Sequence, residues 1–195
     1  MALMATRLVP KDPEEQPTIF DLVQRKGWIY LKRVKPDPEK FIPGESIFKP
    51  KDADVTVHYV DDFIAQVVYI LLKAEDLDEL TDVADEIAEE LPTYSSDEIL
   101  QLYPAAKDEA ERSKAIRLTG IAAPGRYDER YFAIFRAALA ASETPVRLAA
   151  VQMTAYLGWR ELGALLEPLR DSDADEGVRT SAGNIVSAMK AAQRP

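Results

Sequence analysis

The sequence predicts an α+β protein that is mostly helical. A small N-terminal antiparallel sheet with a helix is followed by a short array of about two and a half helix pairs. Three observations carry this. Segments rich in β-branched and aromatic residues fall before residue 74, helical periodicity dominates from residue 107, and that periodicity recurs. With 195 residues, 47% of them apolar, the chain can bury a core in one or two domains.

The elements follow in order. Residues 1–18 hold Pro10, Pro13 and Pro17 and read as an extended arm. Residues 28–34 (WIYLKRV) read as a strand that ends at the turn-like 35–38 (KPDP). Residues 36–50 contain four prolines and a glycine, so they are expected to form an irregular loop carrying Phe41, Ile42, Ile47 and Phe48. Residues 55–60 (VTVHYV) form the second strand, and 66–73 (QVVYILLK) a third, or the start of a long helix; so short an apolar run fits both. A hairpin turning near Asp61 and Asp62 would join them. The organisation expected is 1–73 as arm and sheet, 74–106 as an acidic amphipathic helix with a connecting helix, and 107–195 as helical repeats.

Charge is local. The net charge is -10, yet residues 1–73 hold eleven acidic and eleven basic groups, and 107–195 hold twelve and thirteen. The stretch 74–106 holds eleven acidic residues and no basic one. Leu77, Leu80, Ala84, Ile87 and Leu91 recur at spacings of 3, 4, 3 and 4, which puts them on one helix face. Carboxylates fill the other faces, Pro92 stops the helix, and Ser95 with Glu98 reads as a capping box opening a short helix over 97–103.

From Lys107 the helices repeat. Val146, Ala150, Met153 and Leu157 overlay Val178, Ala182, Ile185 and Met189 at a shift of 32 residues. A shift of 35 the other way reaches Glu111, Ala115, Leu118 and Ala122. Each such helix follows another, with Phe132, Phe135 and Leu139 corresponding to Leu162, Leu165 and Leu169. One such hairpin cannot bury its apolar face alone, so the pairs must stack. The acidic turn 171–176 before Val178-Arg179 and Ala182, and Pro145-Val146-Arg147 before Ala149-Ala150, resemble HEAT-type helical repeats over about 107–195. Glu111 departs from the pattern where the others have valine. The resemblance implies an α-solenoid used chiefly as a binding surface, although some proteins of that architecture act on DNA bases.

Chemistry-bearing patterns are few. No cysteine and one histidine exclude a disulfide scaffold, a cysteine-ligated metal site, a cysteine nucleophile and any site needing two histidines. Asp171, Asp173 and Asp175 alternate as in a calcium loop, but Glu176 stands where the turn glycine belongs and Ala182 where the bidentate Glu belongs. They read better as an inter-helix turn with an acidic cap near Val178. His58 lacks a second histidine or a nucleophile motif and reads as a structural or surface residue; Asp61 and Asp62 suit a turn. Phosphate-loop, kinase, hydrolase and zincin signatures are missing. No cofactor and no metal are expected.

These readings point to a non-enzymatic interaction module, such as an immunity, inhibitor or adaptor protein. It would bind a basic partner protein through Glu79, Asp82, Glu86 and Glu90. Trp159 and Arg160, at a turn, are expected as an exposed contact. The acidic field disfavours nucleic acid, and Arg112, Lys114, Arg117, Arg126 and Arg130 are balanced by neighbouring carboxylates. The alternative is an enzyme with a carboxylate-based site, or a nucleic-acid-acting HEAT-like protein. The longest apolar run, 67–72, falls short of the roughly 20 residues of a membrane span, and 1–5 is too short for a signal-peptide core. A cytoplasmic location is expected.

Overall fold

Gln66, in the left-handed region (φ 56°), ends the turn from which an apolar run enters the sheet. In the computed structural model, which describes residues 3–12 and 18–192, the ambiguous apolar run is strand β5 (Val67–Ala74). It lies between β1 (Met4–Leu8) and β4 (Thr56–Asp62), followed outward by β3 (Gly44–Lys49) and β2 (Ile29–Val34). All neighbours in this five-stranded sheet are antiparallel. The fold is α+β and mostly helical.

Two expectations are corrected here. Part of the expected arm is β1, paired along its length with β5; Pro13 and Pro17 lie outside the described residues. The supposed loop 36–50 contains β3, where Ile47 and Phe48 are buried. Its prolines flank the strand rather than interrupt it, so none removes a ladder donor from its interior.

Helix α1 (Ile19–Lys26) joins β1 to β2. The Thr18 backbone N–H donates to Asp21 Oδ2 (3.0 Å) at its start, and Gly27 closes it at φ 63°, where a side chain would be strained. Its Ile19 and Leu22 join Phe48, Val57, Ile70 and Leu72 in one core. Helix α2 (Leu77–Glu90) packs on β1 and β5 and adds Leu80, Val83, Ala84 and Ile87 to that core. Leu77, expected on this stripe, is exposed, and Val83 takes a place on it. At the hairpin between β4 and β5, Asp62 Oδ1 accepts from the N–H groups of Ile64 and Ala65, both 2.9 Å, in the turn role anticipated.

The chain divides into two units at Ser95 and Ser96, inside the segment 74–106. The second comprises α3 (Ser96–Ala105), α4 (Glu109–Ala122), α5 (Glu129–Leu139), α6 (Thr144–Leu157), α7 (Gly163–Ser172) and α8 (Glu176–Ala192). Helix α6 packs between α4 and α8, with α5 against α6 and α7 against α8. Gly120 permits the approach of α4 to α6: a Cβ there would stand 2.7 Å from Met153 Cβ. Val146 and Val178, and Ala150 and Ala182, are buried at equivalent places. The overlay loosens elsewhere. Ile185 and Met189 are half-buried beside the buried Val186, and Leu166 rather than Leu165 enters the core. Among the described residues, no helix is long and apolar enough to cross a membrane.

Candidate functional site

Helix α2 owes its start to Asp76, whose Oδ1 accepts from the N–H groups of Asp78 (2.8 Å) and Glu79 (3.1 Å). With one face in the core, its carboxylates divide into two rows. Glu79, Glu86 and Glu90 sit at the flank and are half-buried. Glu79 Oε2 accepts from Asp54 N–H (2.8 Å), Glu86 pairs with Lys26 (2.8 Å), and Glu90 pairs with Arg25 (3.0 Å). Glu86 raises the Lys26 ammonium above its ordinary pKa through their hydrogen bond and charge.

The second row is Asp78, Asp82, Asp85 and Glu89, at spacings of 4, 3 and 4. All four are exposed, and none forms an ion pair among the described residues. Of the four carboxylates expected to face a partner, only Asp82 belongs to this row. The other three already hold groups within their own unit. Asp78, Asp85 and Glu89 complete the exposed row, at spacings from Asp82 that the sequence already carries.

Trp159 corrects another expectation. It is buried at 4% exposure, because Gly158 in the left-handed region (φ 63°) turns the chain back and sends the indole inward. Its ring meets Tyr127 edge-on at 5.6 Å between centroids, and Tyr127 lies 5.5 Å from Phe132. Arg160, the next residue, is exposed, so the two do not form one contact surface. The Tyr127 hydroxyl donates to Glu129, which pushes its pKa up to about 12.

The remaining candidates are tied within their own unit. His58 is buried; its Nδ1 lies 2.9 Å from Glu45 Oε2 and its Nε2 3.2 Å from Thr56 Oγ1. Both ring nitrogens thus have partners inside the sheet. Nearby, burial and then the Asp62 carboxylate raise the Tyr69 phenol above its ordinary value.

The three alternating aspartates separate. Asp171 pairs with Arg170 (2.6 Å), and Asp175 Oδ1 caps α8 by accepting from Val178 N–H (3.0 Å). Asp173 takes both arms of Arg147, Nε at 2.7 Å and Nη2 at 3.0 Å. The Arg147 guanidinium holds the Asp173 carboxyl below its ordinary pKa. Among the described residues, no group of three or more His, Asp or Glu side chains is placed to hold a metal ion.

Arginines at corresponding places do related work. Arg112 of α4 pairs with Glu143 in the turn before α6. Arg147 of α6 reaches Asp173 before α8, and the carbonyls of Ala141 and Ser142 behind it. Arg179 of α8 donates to the carbonyls of Asp173 (2.6 Å) and Ala174 (3.1 Å). In the basic group discounted above, Arg112 is thus paired, Arg130 binds Asp128 (2.9 Å), and Arg117 donates to Gln152 (3.2 Å).

The chain matches no family model, no curated protein and no solved structure.

Proposed function

We propose that the chain is a non-enzymatic protein–protein interaction module that binds a basic partner through the outer face of α2. The observation that carries this reading is the exposed row of Asp78, Asp82, Asp85 and Glu89, without counter-ions among the described residues. Such a row raises the local concentration of a cationic surface and speeds its association. Glu79, Glu86 and Glu90 serve here to fix the helix that presents the row. An inhibitor, immunity or adaptor role in the cytoplasm accords with this mode of binding.

The helical unit is read as a HEAT-like scaffold. The recurrence of Arg112, Arg147 and Arg179 at the shifts of 35 and 32 residues supports that reading, as do the matching buried positions of α6 and α8. Affinity capture from native lysate at two salt concentrations tests the binding proposal. The double variant Asp82→Lys, Asp85→Lys should lose a basic protein that the unaltered chain retains at low salt and releases at high salt. Equal capture by both would sink the proposal.

A further inference from the structure

The two edges of the sheet are finished differently. Beyond β1, the chain continues into a second pairing: Lys11 N–H donates to the Pro92 carbonyl (2.9 Å), and Tyr94 N–H to the Val9 carbonyl (2.9 Å). Strand β2, at the opposite edge, pairs only with β3 among the described residues. Five of its six residues are exposed, including Ile29, Tyr30 and Leu31 at 47–55%. Phe41 at 72% and Ile42 at 37% add apolar surface on the segment that follows.

The same edge is cationic. Lys32 and Arg33 lie on β2 and Lys35 just beyond it, and the sequence has no carboxylate between Asp21 and Asp37. None of these three cations forms an ion pair among the described residues. An open edge of this kind is a template for another strand.

A second copy is poorly suited to it. Antiparallel pairing of the regular part of β2, 32–34, with itself would set Arg33 of one copy opposite Arg33 of the other, with Lys32 flanking, and like charges across strands repel. The bulge between Tyr30 and Lys32, which leaves Leu31 outside the register with β3, further interrupts a long self-pairing. These features discourage self-association while leaving 32–34 in regular register. An extended segment with carboxylates at alternate positions meets the reverse condition: its charge is attracted where a second β2 is repelled.

We propose that the free edge of β2, from Lys32 onward, accepts an acidic extended segment of a partner protein as a sixth strand. Main-chain hydrogen bonds would hold the segment, its carboxylates, all on one face, meeting Arg33 and Lys35, which share a face by the alternation of β2, while Lys32 adds positive charge on the other. This surface is separate from the row on α2 and does not rest on the function proposed for that row.

The test uses an eight-residue peptide of alternating valine and glutamate, with a valine–lysine peptide of equal length as control. Binding is read by fluorescence anisotropy at low salt, and amide hydrogen exchange is followed across Ile29–Val34. The glutamate peptide should bind and slow exchange in β2, and the lysine peptide should do neither. Arg33→Glu with Lys35→Glu should weaken binding at least about tenfold, an electrostatic loss of about 1.4 kcal/mol. Asp82→Lys with Asp85→Lys should not weaken it, which separates this surface from α2. Absence of binding overturns the proposal, as does binding without protection of β2, which is charge capture alone. Concentration-dependent dimerisation that protects β2 assigns the edge to a second copy and overturns it too. Exchange in the unaltered chain decides the matter even should the double variant fold poorly.

Discussion

In the helical unit the part-buried Arg147 grips Asp173, whose side chain is 3% exposed; in the sheet unit Asp78, Asp82, Asp85 and Glu89 face solvent along the length of α2. The comparison separates two uses of charge. A part-buried guanidinium and carboxylate fix the turn between α7 and α8 to α6 through two charge-assisted hydrogen bonds. An exposed row fixes nothing internally, so it can change with little consequence for the fold. Local charge density, by itself, therefore says little about which carboxylates hold the structure.

The largest expected effect breaks the internal side of this contrast. Asp173→Ala should destabilise the helical unit by about 3 kcal/mol, the upper end for hydrogen bonds to a charged group, because two such bonds are lost while Arg147 keeps its carbonyl acceptors. Chemical denaturation would measure it. The pair also carries a pH signature. Arg147 depresses the Asp173 pKa, so the pair's stabilisation is fully present above the unfolded carboxyl's value of about 3.9. It fades as pH falls through the lower folded value. The difference between wild type and Asp173→Ala should be flat near neutrality and shrink at acid pH; a constant difference would show that the carboxylate's charge is not what matters.

A smaller effect sharpens the role of packing in the same unit. Gly120→Ala would set a methyl 2.7 Å from Met153 Cβ and 2.8 Å from its Cε. Rotating the methionine relieves the second contact but not the first. Thermal unfolding should show a net loss of about 1–3 kcal/mol despite the better helix propensity of alanine. An unchanged midpoint would mean that α4 and α6 can separate freely.

The smallest effect belongs to the exposed row. Asp82→Asn with Asp85→Asn should change stability by no more than about 0.5 kcal/mol, toward greater stability as like charges are removed. A loss well above that, seen in the denaturation midpoint, would show that these carboxylates hold the sheet unit together.

The contrast also explains what was legible in the sequence. Helix α2 was readable because Leu80, Ala84, Ile87 and Leu91 repeat locally; β5 was visible as an apolar run, but its eight residues fitted strand and helix alike until paired with β1 and β4. Strands β1 and β3 were not, since MATRL and GESIFK carry mixed patterns and gain definition from pairing with distant strands. The capping signals of α1, Thr18 with Asp21 and then Gly27, were present and unread. At the candidate site Asp82 was legible as an outward acid. Glu90 was not legible as a paired one, because Arg25 lies 65 residues away. Trp159 was misplaced for a related reason: the turn was visible, but not the direction in which the chain left Gly158.

The aromatic packing around Trp159 has an optical consequence. The chain has two tryptophans, and each unit contains one, Trp28 in the first and Trp159 in the second. Both are buried, at 9% and 4% exposure, so unfolding of either unit transfers its indole to water and shifts its emission to longer wavelength. Trp28→Phe leaves a fluorophore that reports the helical unit alone, with Tyr127 close enough at 5.6 Å to pass excitation to it. Trp159→Phe leaves the complementary reporter in the sheet unit. Coincident or separate transitions in the two variants would reveal whether the halves melt as one cooperative body.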